Sequence, residues 1–425
     1  MLGPGAGASP LGAGVRRRRR RWVRRGGVGV AVLLVGAVGA GWVVYEKLDS
    51  NITADNDAAD ELARYEKERP TALVRDAQNI LLIGSDSRSG DGNSAYGRDS
   101  GTERSDTTIL LHLAADRKSA TAVSIPRDLM VNVPSCRRPD GTRTAPRFAM
   151  FNSAFQVGGS ACTIRTVEKL TDIRVDHHIV VDFRGFKEMV DAVDGVEVCL
   201  TEPMNDPAAK LTLAAGKHTL NGEQALGYVR ARKSLGNGSD TGRIDRQQRF
   251  LAALVNKVHS NDVLLNPTKL YPLLDAATSS LTTDPDLASL RGLYQLVRGV
   301  RHIPMERVQF LTVPRRAYVH DPNRDQLVEP DAQRLFTRLR LDEPVAVAKD
   351  GSDTGSTAPS NEPSGQGSRT SGDGSHTTPD GSPAERTERP AGTATDTAQS
   401  SRSASPPPDP VPTFRGNTAA EDGCG

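Results

Sequence analysis

Short runs of apolar residues, each closed by polar or turn-forming residues, recur through the middle of the chain. Those at Asn79–Ile83, Thr107–Leu113, Thr121–Ile125, His178–Phe183, Val196–Leu200 and Val308–Val313 have strand length, and Ala225–Arg232 is expected to be strand in part. Helical spacing of apolar positions predicts helices at Ala161–Leu170, Phe186–Val193 and Arg243–Val258, with several more after Pro267. The stretch from His178 to Leu200 reads as strand, short helix, Asp194-Gly195 turn and strand, which predicts a parallel crossover, whereas Thr107 to Ile125 predicts a hairpin. A sheet holding both connections is mixed. The expected fold class is therefore α/β (mixed α+β), one domain over about 77–345 with a central mixed β-sheet flanked by helices. His177 and His178 are adjacent at a strand start, point to opposite faces and read as ordinary sheet residues.

The ends of the chain carry different patterns. From Val28 to Tyr45 there are 18 residues without a charge, preceded by six consecutive arginines, Arg16 to Arg21, and by Arg24 and Arg25. That length just spans a hydrocarbon core, and arginines on the N-terminal side place that end in the cytoplasm. A cytoplasmic segment over 1–27, a single transmembrane helix over 28–45 and a charged extracytoplasmic stalk over 46–76 are expected. A cleavable signal peptide is the alternative, with Ala37, Gly39 and Gly41 as small residues for a cut. An arginine run beside an apolar span is topogenic rather than a nucleic-acid patch, so no nucleic-acid partner is expected. Past Ala348 the only large apolar residues are Val411 and Phe414, so 346–425 reads as a disordered Ser/Thr/Gly/Pro-rich tail.

Charge enters as a local matter, because the formal net charge is only +2. Three clusters fall at strand ends: Asp86 with Arg88, Arg104 with Asp106, and Arg127 with Asp128. If the second strand runs antiparallel between the first and third, all three meet at one edge of the sheet. Further on, Arg230 and Arg232 would share a face if their segment is a strand. Asp240 then precedes a helix on which Arg243, Arg246, Gln247 and Phe250 form one stripe. Arginines at a helix N-terminus, where the backbone is already positive, make sense if an anion binds there. Guanidinium forks suit phosphate, and paired carboxylates such as Asp86 and Asp106 suit Mg²⁺ (or Mn²⁺); a purely structural net of these carboxylates with Arg88 and Arg104 is the alternative. Of the four cysteines, Cys136, Cys162 and Cys199 fall in the folded region and allow three pairings. Cys136 with Cys162 is expected, since both lie in loop-like sequence while Cys199 lies in a strand.

The motifs NILLIGSDSR, RSDTTILLHL, SIPRDLMVNVP, FNSAFQVGG, and YVRAR followed by SDTGRIDRQQR resemble the LytR/CpsA/Psr family of bacterial wall-polymer ligases, of actinobacterial type. The resemblance covers about Asn79 to Val258. It implies a membrane-anchored phosphotransferase with an apolar tunnel for a polyprenyl chain. Such an enzyme takes a polyprenyl-pyrophosphate-linked glycopolymer, of teichoic acid type among others, and joins it through a phosphodiester to peptidoglycan outside the cytoplasm. Carried over by position, Asp86 and Asp106 correspond to metal ligands. Arg104, Arg127, Arg230, Arg232 and Arg243 correspond to pyrophosphate-binding arginines, with Gln247 at a phosphate contact and Asp240 as the acidic residue before the helix. Asp106, Arg127 and Arg243 are the expected catalytic residues, and Arg88 and Arg246 are expected to add to substrate binding. Where relatives often carry lysine two residues before the asparagine of FNSAF, this chain has Met150, with Arg147 as a nearby substitute. A non-catalytic receptor for polyprenyl phosphate or wall polymer, and a lipid pyrophosphate hydrolase, are the competing functions.

Overall fold

The computed structural model describes residues 33–85, 105–231, 240–259, 266–348 and 411–421. In chain order its strands begin with β1 Thr53–Ala54, β2 Gln78–Ser85, β3 Ser105–Leu113, β4 Ala120–Ile125, β5 Met130–Val133, β6 Arg147–Met150, β7 His177–Val181 and β8 Val196–Leu200. They continue as β9 Met204–Asp206, β10 Leu211–Leu213, β11 Gly216–Leu220, β12 Leu281–Thr283, β13 Val308–Thr312, β14 Arg315–Tyr318, β15 Asp321–Leu327, β16 Ala346–Ala348 and β17 Thr413–Thr418. The helices are α1 over 33–51, α2 Asn56–Arg64, α3 Ser153–Thr171, α4 Phe183–Ala192, α5 Gly222–Arg230 and α6 Asp240–His259, followed by Pro267–Ser280, Leu290–Val300 and Asp331–Arg340.

Nine strands form the central sheet in the order β1-β12-β7-β2-β3-β4-β13-β17-β16. The pairs β2–β3 and β3–β4 are antiparallel, while β2–β7 and β4–β13 are parallel, so the sheet is mixed as expected, through parallel pairs other than the predicted crossover. Alternate residues of β2 enter different cores. Leu81 and Ile83 pack with α3 and the helix Asp331–Arg340, whereas Ile80 packs on the other face toward the helix Leu290–Val300. Burial on both faces explains why β2 reads as a continuous apolar run rather than an alternating one.

Four expectations are corrected. The segment Ala225–Arg232, expected as strand in part, is helical through Arg230, because Asn221 and Gln224 close a reciprocal capping box that starts α5. The crossover from His178 to Leu200 does not form within one sheet, since β8 pairs antiparallel with β11 in a separate two-stranded sheet. Its pattern gives the reason: Val196, Val198 and Leu200 are buried while Glu197 is exposed, which is a strand with one covered face. The stalk expected over 46–76 is part of the domain. Its α2 buries Ala58 and Leu62 against the main core, and Arg69 grips the buried Glu168 with Nε at 3.0 Å and Nη2 at 2.8 Å.

The fourth correction concerns the tail. Within 346–425, expected to be disordered, β16 and β17 extend the sheet, with β17 antiparallel to β13 and parallel to β16. Phe414, one of the two large apolar residues past Ala348, is buried, and so is Ala419. Gly416 lies so close to the Phe310 carbonyl that any side chain there would collide with it. One aromatic anchor and a free sheet edge therefore order a segment whose composition alone argues for solvation.

The expected disulfide forms between Cys136 and Cys162, with Cα atoms 5.5 Å apart and a sequence separation of 26. Cys199, which the expected pairing leaves as a thiol, is also disulfide-bonded. Replacing Cys136 and Cys162 together by serine should cost about 3 kcal/mol of stability, the loop-closure entropy of a link of this span. Urea unfolding of the variant and the wild type checks it; coincident midpoints would be the contrary result.

His177 and His178 do point apart, but each meets a carboxylate. His177 Nδ1 lies 3.1 Å from Asp284 Oδ1 and His178 Nε2 lies 3.1 Å from Asp55 Oδ2, tying β7 to its neighbours at the sheet edge. Burial disfavours the charge on His177, yet the bond to Asp284 outweighs it and raises the pKa above the ordinary 6.5. A raised folded-state pKa stabilises fully below the unfolded value and is lost as pH rises through the folded one. His177→Gln should therefore lower the melting temperature more below pH 6.5 than at pH 9. A pH-independent difference would contradict this.

Candidate active site

The edge predicted from the charge clusters is formed by the end of β2, the start of β3 and the end of β4. Register pairs Ser85 with Ser105 and Thr108 with Ile125, with an irregularity after Gly84. Antiparallel β3 between β2 and β4 thus brings Asp106 to the Pro126-Arg127 turn. Arg127 Nη1 donates to Asp106 Oδ1 at 2.8 Å, and its Nε donates to Asp128 Oδ2 at 3.2 Å. Arg324, from β15, donates to Asp128 Oδ1 at 3.3 Å and completes an alternating row of charge. Backbone bonds hold this turn in place. Asn152 N–H donates to the Arg127 carbonyl at 3.0 Å and Phe151 N–H to the Leu129 carbonyl at 2.8 Å, so the FNSAF segment acts as a buttress. Arg147 is exposed on β6 and Met150 is half-buried.

A cavity of about 520 Å³ opens beside this edge. Its interior is apolar, with Leu82, Ile109, Phe186, Val229, Phe250 and Leu254 among its walls. Polar groups enter where Asp106, Arg230, Arg243 and Gln247 line it. Arg230 comes from the last turn of α5, where its guanidinium stacks 4.5 Å from the Phe183 ring centre. Arg243 and Gln247 come from successive turns of α6, and Gln247 Nε2 anchors that helix by donating to the Val229 carbonyl at 3.1 Å. A space of this kind accepts a hydrocarbon chain inside and an anionic head among the guanidiniums.

The predicted stripe on α6 is divided. Arg243, Gln247 and Phe250 line the cavity, but Arg246 does not: it is buried and donates to the Ala231 carbonyl, with burial lowering its pKa. Arg246 is therefore a structural residue rather than a binding one. The reading that paired Arg230 with Arg232 on a strand face falls with the strand. Asp86, Arg88, Arg104 and Arg232 lie outside the described residues, and Asp240 is placed only as the first residue of α6.

Sequence reasoning missed Asp182 and Asp206. Asp182 caps α4 by accepting from Gly185 N–H at 2.7 Å, and the buried Asp206 accepts from Ala208 and Ala209 N–H at 3.0 and 3.1 Å. Both line the cavity. The Asn205-Asp206-Pro207 turn was the available signal for the second.

Among the described residues no three His, Cys, Asp or Glu side chains gather as a metal site. Asp106 nonetheless suits an oxygen-seeking ion, which often takes one or two carboxylates and completes its shell with phosphate and water.

A model of the LytR_cpsA_psr family matches residues 48–340, well over half of the chain. The chain belongs to this family. Its relatives include the probable cell wall biosynthesis protein LcpB of Corynebacterium glutamicum, 36% identical over 280 residues that cover 64% of this chain and 63% of LcpB. The chain thus spans less than two thirds of that relative. TagT of Bacillus subtilis, named polyisoprenyl-teichoic acid–peptidoglycan teichoic acid transferase, is 29% identical over 299 residues, covering 68% of this chain and 85% of TagT. A LytR-Csp2A-Psr enzyme from Actinomyces oris shares the fold at a TM-score of 0.50 and 21% identity, over 64% of this chain and 93% of that one. Family membership agrees with the motif resemblance.

Proposed function

We propose that this LytR_cpsA_psr family member is a phosphotransferase that moves a glycopolymer from a polyprenyl pyrophosphate carrier onto peptidoglycan through a phosphodiester. The observation that carries the proposal is an apolar cavity whose polar entrance holds Asp106, Arg230, Arg243 and Gln247. The names of the relatives supply the polymer and acceptor classes. The polyprenyl chain occupies the cavity, and the pyrophosphate lies among Arg127, Arg230 and Arg243. An acceptor hydroxyl attacks the phosphorus that bears the glycan, losing its proton as the new P–O bond forms. The bond to the bridging oxygen breaks, and polyprenyl phosphate leaves. Fixed guanidinium charge stabilises the negative charge that grows on the leaving phosphate. A Mg²⁺ or Mn²⁺ ion at Asp106, with Asp86 as second carboxylate, would add positive charge at the phosphates.

The same proposal places the domain outside the cytoplasm on a single anchor, 28–45. Its first residues lie outside the described ones, and among the described residues no helix is long and apolar enough to cross a membrane. Supporting the reading, Leu33, Leu34, Val35, Val38, Trp42 and Val43 of α1 are all exposed.

The test is turnover by the full chain in detergent with Mg²⁺, a lipid-linked donor labelled in the phosphate next to the glycan, and a peptidoglycan acceptor. Label in the acceptor establishes transfer. Label only in free glycan phosphate would establish hydrolysis, and unconsumed donor would establish a receptor.

A further inference from the structure

No linker separates the proposed anchor from the domain. α1 runs unbroken from the apolar run to residue 51, and its end is bound to two helices from much later in the chain. Leu48 and Ile52 are buried, and Asn51 Nδ2 donates to Asp275 Oδ1 at 3.2 Å. Lys47 Nζ lies 3.0 Å from Asp275 Oδ1 and donates to the Tyr271 hydroxyl at 3.2 Å, which ties α1 to the helix Pro267–Ser280. Asp49 Oδ1 accepts from Leu290 N–H at 2.8 Å, which ties it to the start of the helix Leu290–Val300.

These bonds set a height. Tyr45 is the last residue of the uncharged run. With a helical rise of about 1.5 Å per residue, Lys47 stands ~3 Å beyond it and Asp49 ~6 Å. The headgroup layer is roughly 5–8 Å deep on each side of the hydrocarbon. Tyr271 meets Lys47 and the start of Leu290–Val300 meets Asp49, so both helices reach into that layer.

What they turn outward suits it. Tyr271 and Leu274 are exposed on Pro267–Ser280. On Leu290–Val300, Leu293, Leu296 and Val300 pack inward. Arg291, Tyr294 and Arg298 form one exposed stripe at i, i+3 and i+7, with exposed Val297 and Arg301 beside it. Of the carboxylates that precede this stripe, Asp275 is paired with Lys47 and Asp284 with His177, which leaves Asp286 against three arginines. A tyrosine ring belongs at the boundary between acyl chains and headgroups, and guanidiniums beside it meet lipid phosphate.

We propose that the helices Pro267–Ser280 and Leu290–Val300 form a bilayer-docking face that binds anionic phospholipid headgroups. The proposal rests on the anchor reading, from which the height is measured. Docking also fixes the apolar cavity relative to the lipid, since Leu273 of the first helix packs in the same cluster as the cavity walls Phe250 and Leu254.

The test uses the full chain carrying Tyr294→Trp, with both native tryptophans removed by Trp22→Phe and Trp42→Phe. It is reconstituted in vesicles of phosphatidylglycerol and phosphatidylcholine, with and without bromine high on the acyl chains. Bromine quenches an indole only at close range, so fluorescence should fall in the brominated vesicles. The loss should shrink in phosphatidylcholine alone, and when Arg291→Glu, Arg298→Glu and Arg301→Glu are added. Fluorescence indifferent to bromine overturns the proposal, as does a loss that ignores the charge of the lipid. Comparing lipids needs only the chain with its arginines, so it decides even if the glutamate variant folds poorly. A chain that alkaline carbonate strips from the vesicles counts against the anchor and the face together. A chain that stays and is not quenched counts against the face alone.

Discussion

Arg127→Ala is expected to slow transfer of a labelled glycopolymer by roughly 10²–10³-fold while leaving the domain folded. Arg127 bridges Asp106 and Asp128, with its side chain only 15% exposed, and its carbonyl accepts from Asn152 N–H. Its planar fork engages two carboxylates at once, and a phosphate oxygen arriving beside Asp106 would meet the same fork. Lysine presents a single point of charge and cannot bridge these positions, so Arg127→Lys should recover little of the loss. Single-turnover kinetics with labelled donor measure the effect. Wild-type rates in the alanine variant would remove Arg127 from the chemistry.

The second large effect is expected from the apolar cavity. Leu254 is half-buried on α6 and lines the space beside Phe250 and Val229. Leu254→Trp should fill part of it and displace roughly four carbons of the chain, about 3 kcal/mol at ~0.8 kcal/mol per buried carbon. The predicted fall in kcat/KM for a long-chain carrier is about 100-fold, with a much smaller fall for a donor whose lipid is truncated to two isoprenyl units. Equal losses on both donors would mean that the cavity does not hold the chain.

Much of the central sheet was legible because β2, β3 and β4 are short apolar runs ended by charged turns, and local sequence fixes such elements. Their convergence on one edge follows from antiparallel pairing alone, and the Asp106–Arg127 contact confirms it. The Ala225–Arg232 segment was misread because its apolar spacing suits either state, and the decisive information lies upstream in the Asn221 cap. Arg246 was misassigned for a different reason. Helical periodicity places it beside Arg243 and Gln247, but whether a guanidinium faces a cavity or a carbonyl depends on where α5 ends.

The C-terminal strand also sets the timing of folding. β13 receives its antiparallel partner from residues 413–418, more than a hundred positions further along the chain. Until synthesis has passed that point, β13 presents an unpaired row of backbone donors and acceptors, and the pocket for Phe414 is empty. Contacts of such long sequence separation form late and slow the folding of sheets that need them. A chain interrupted anywhere in the intervening segment would carry all the residues of the proposed chemistry and still present an adhesive edge, the condition under which strands pair with the wrong molecule.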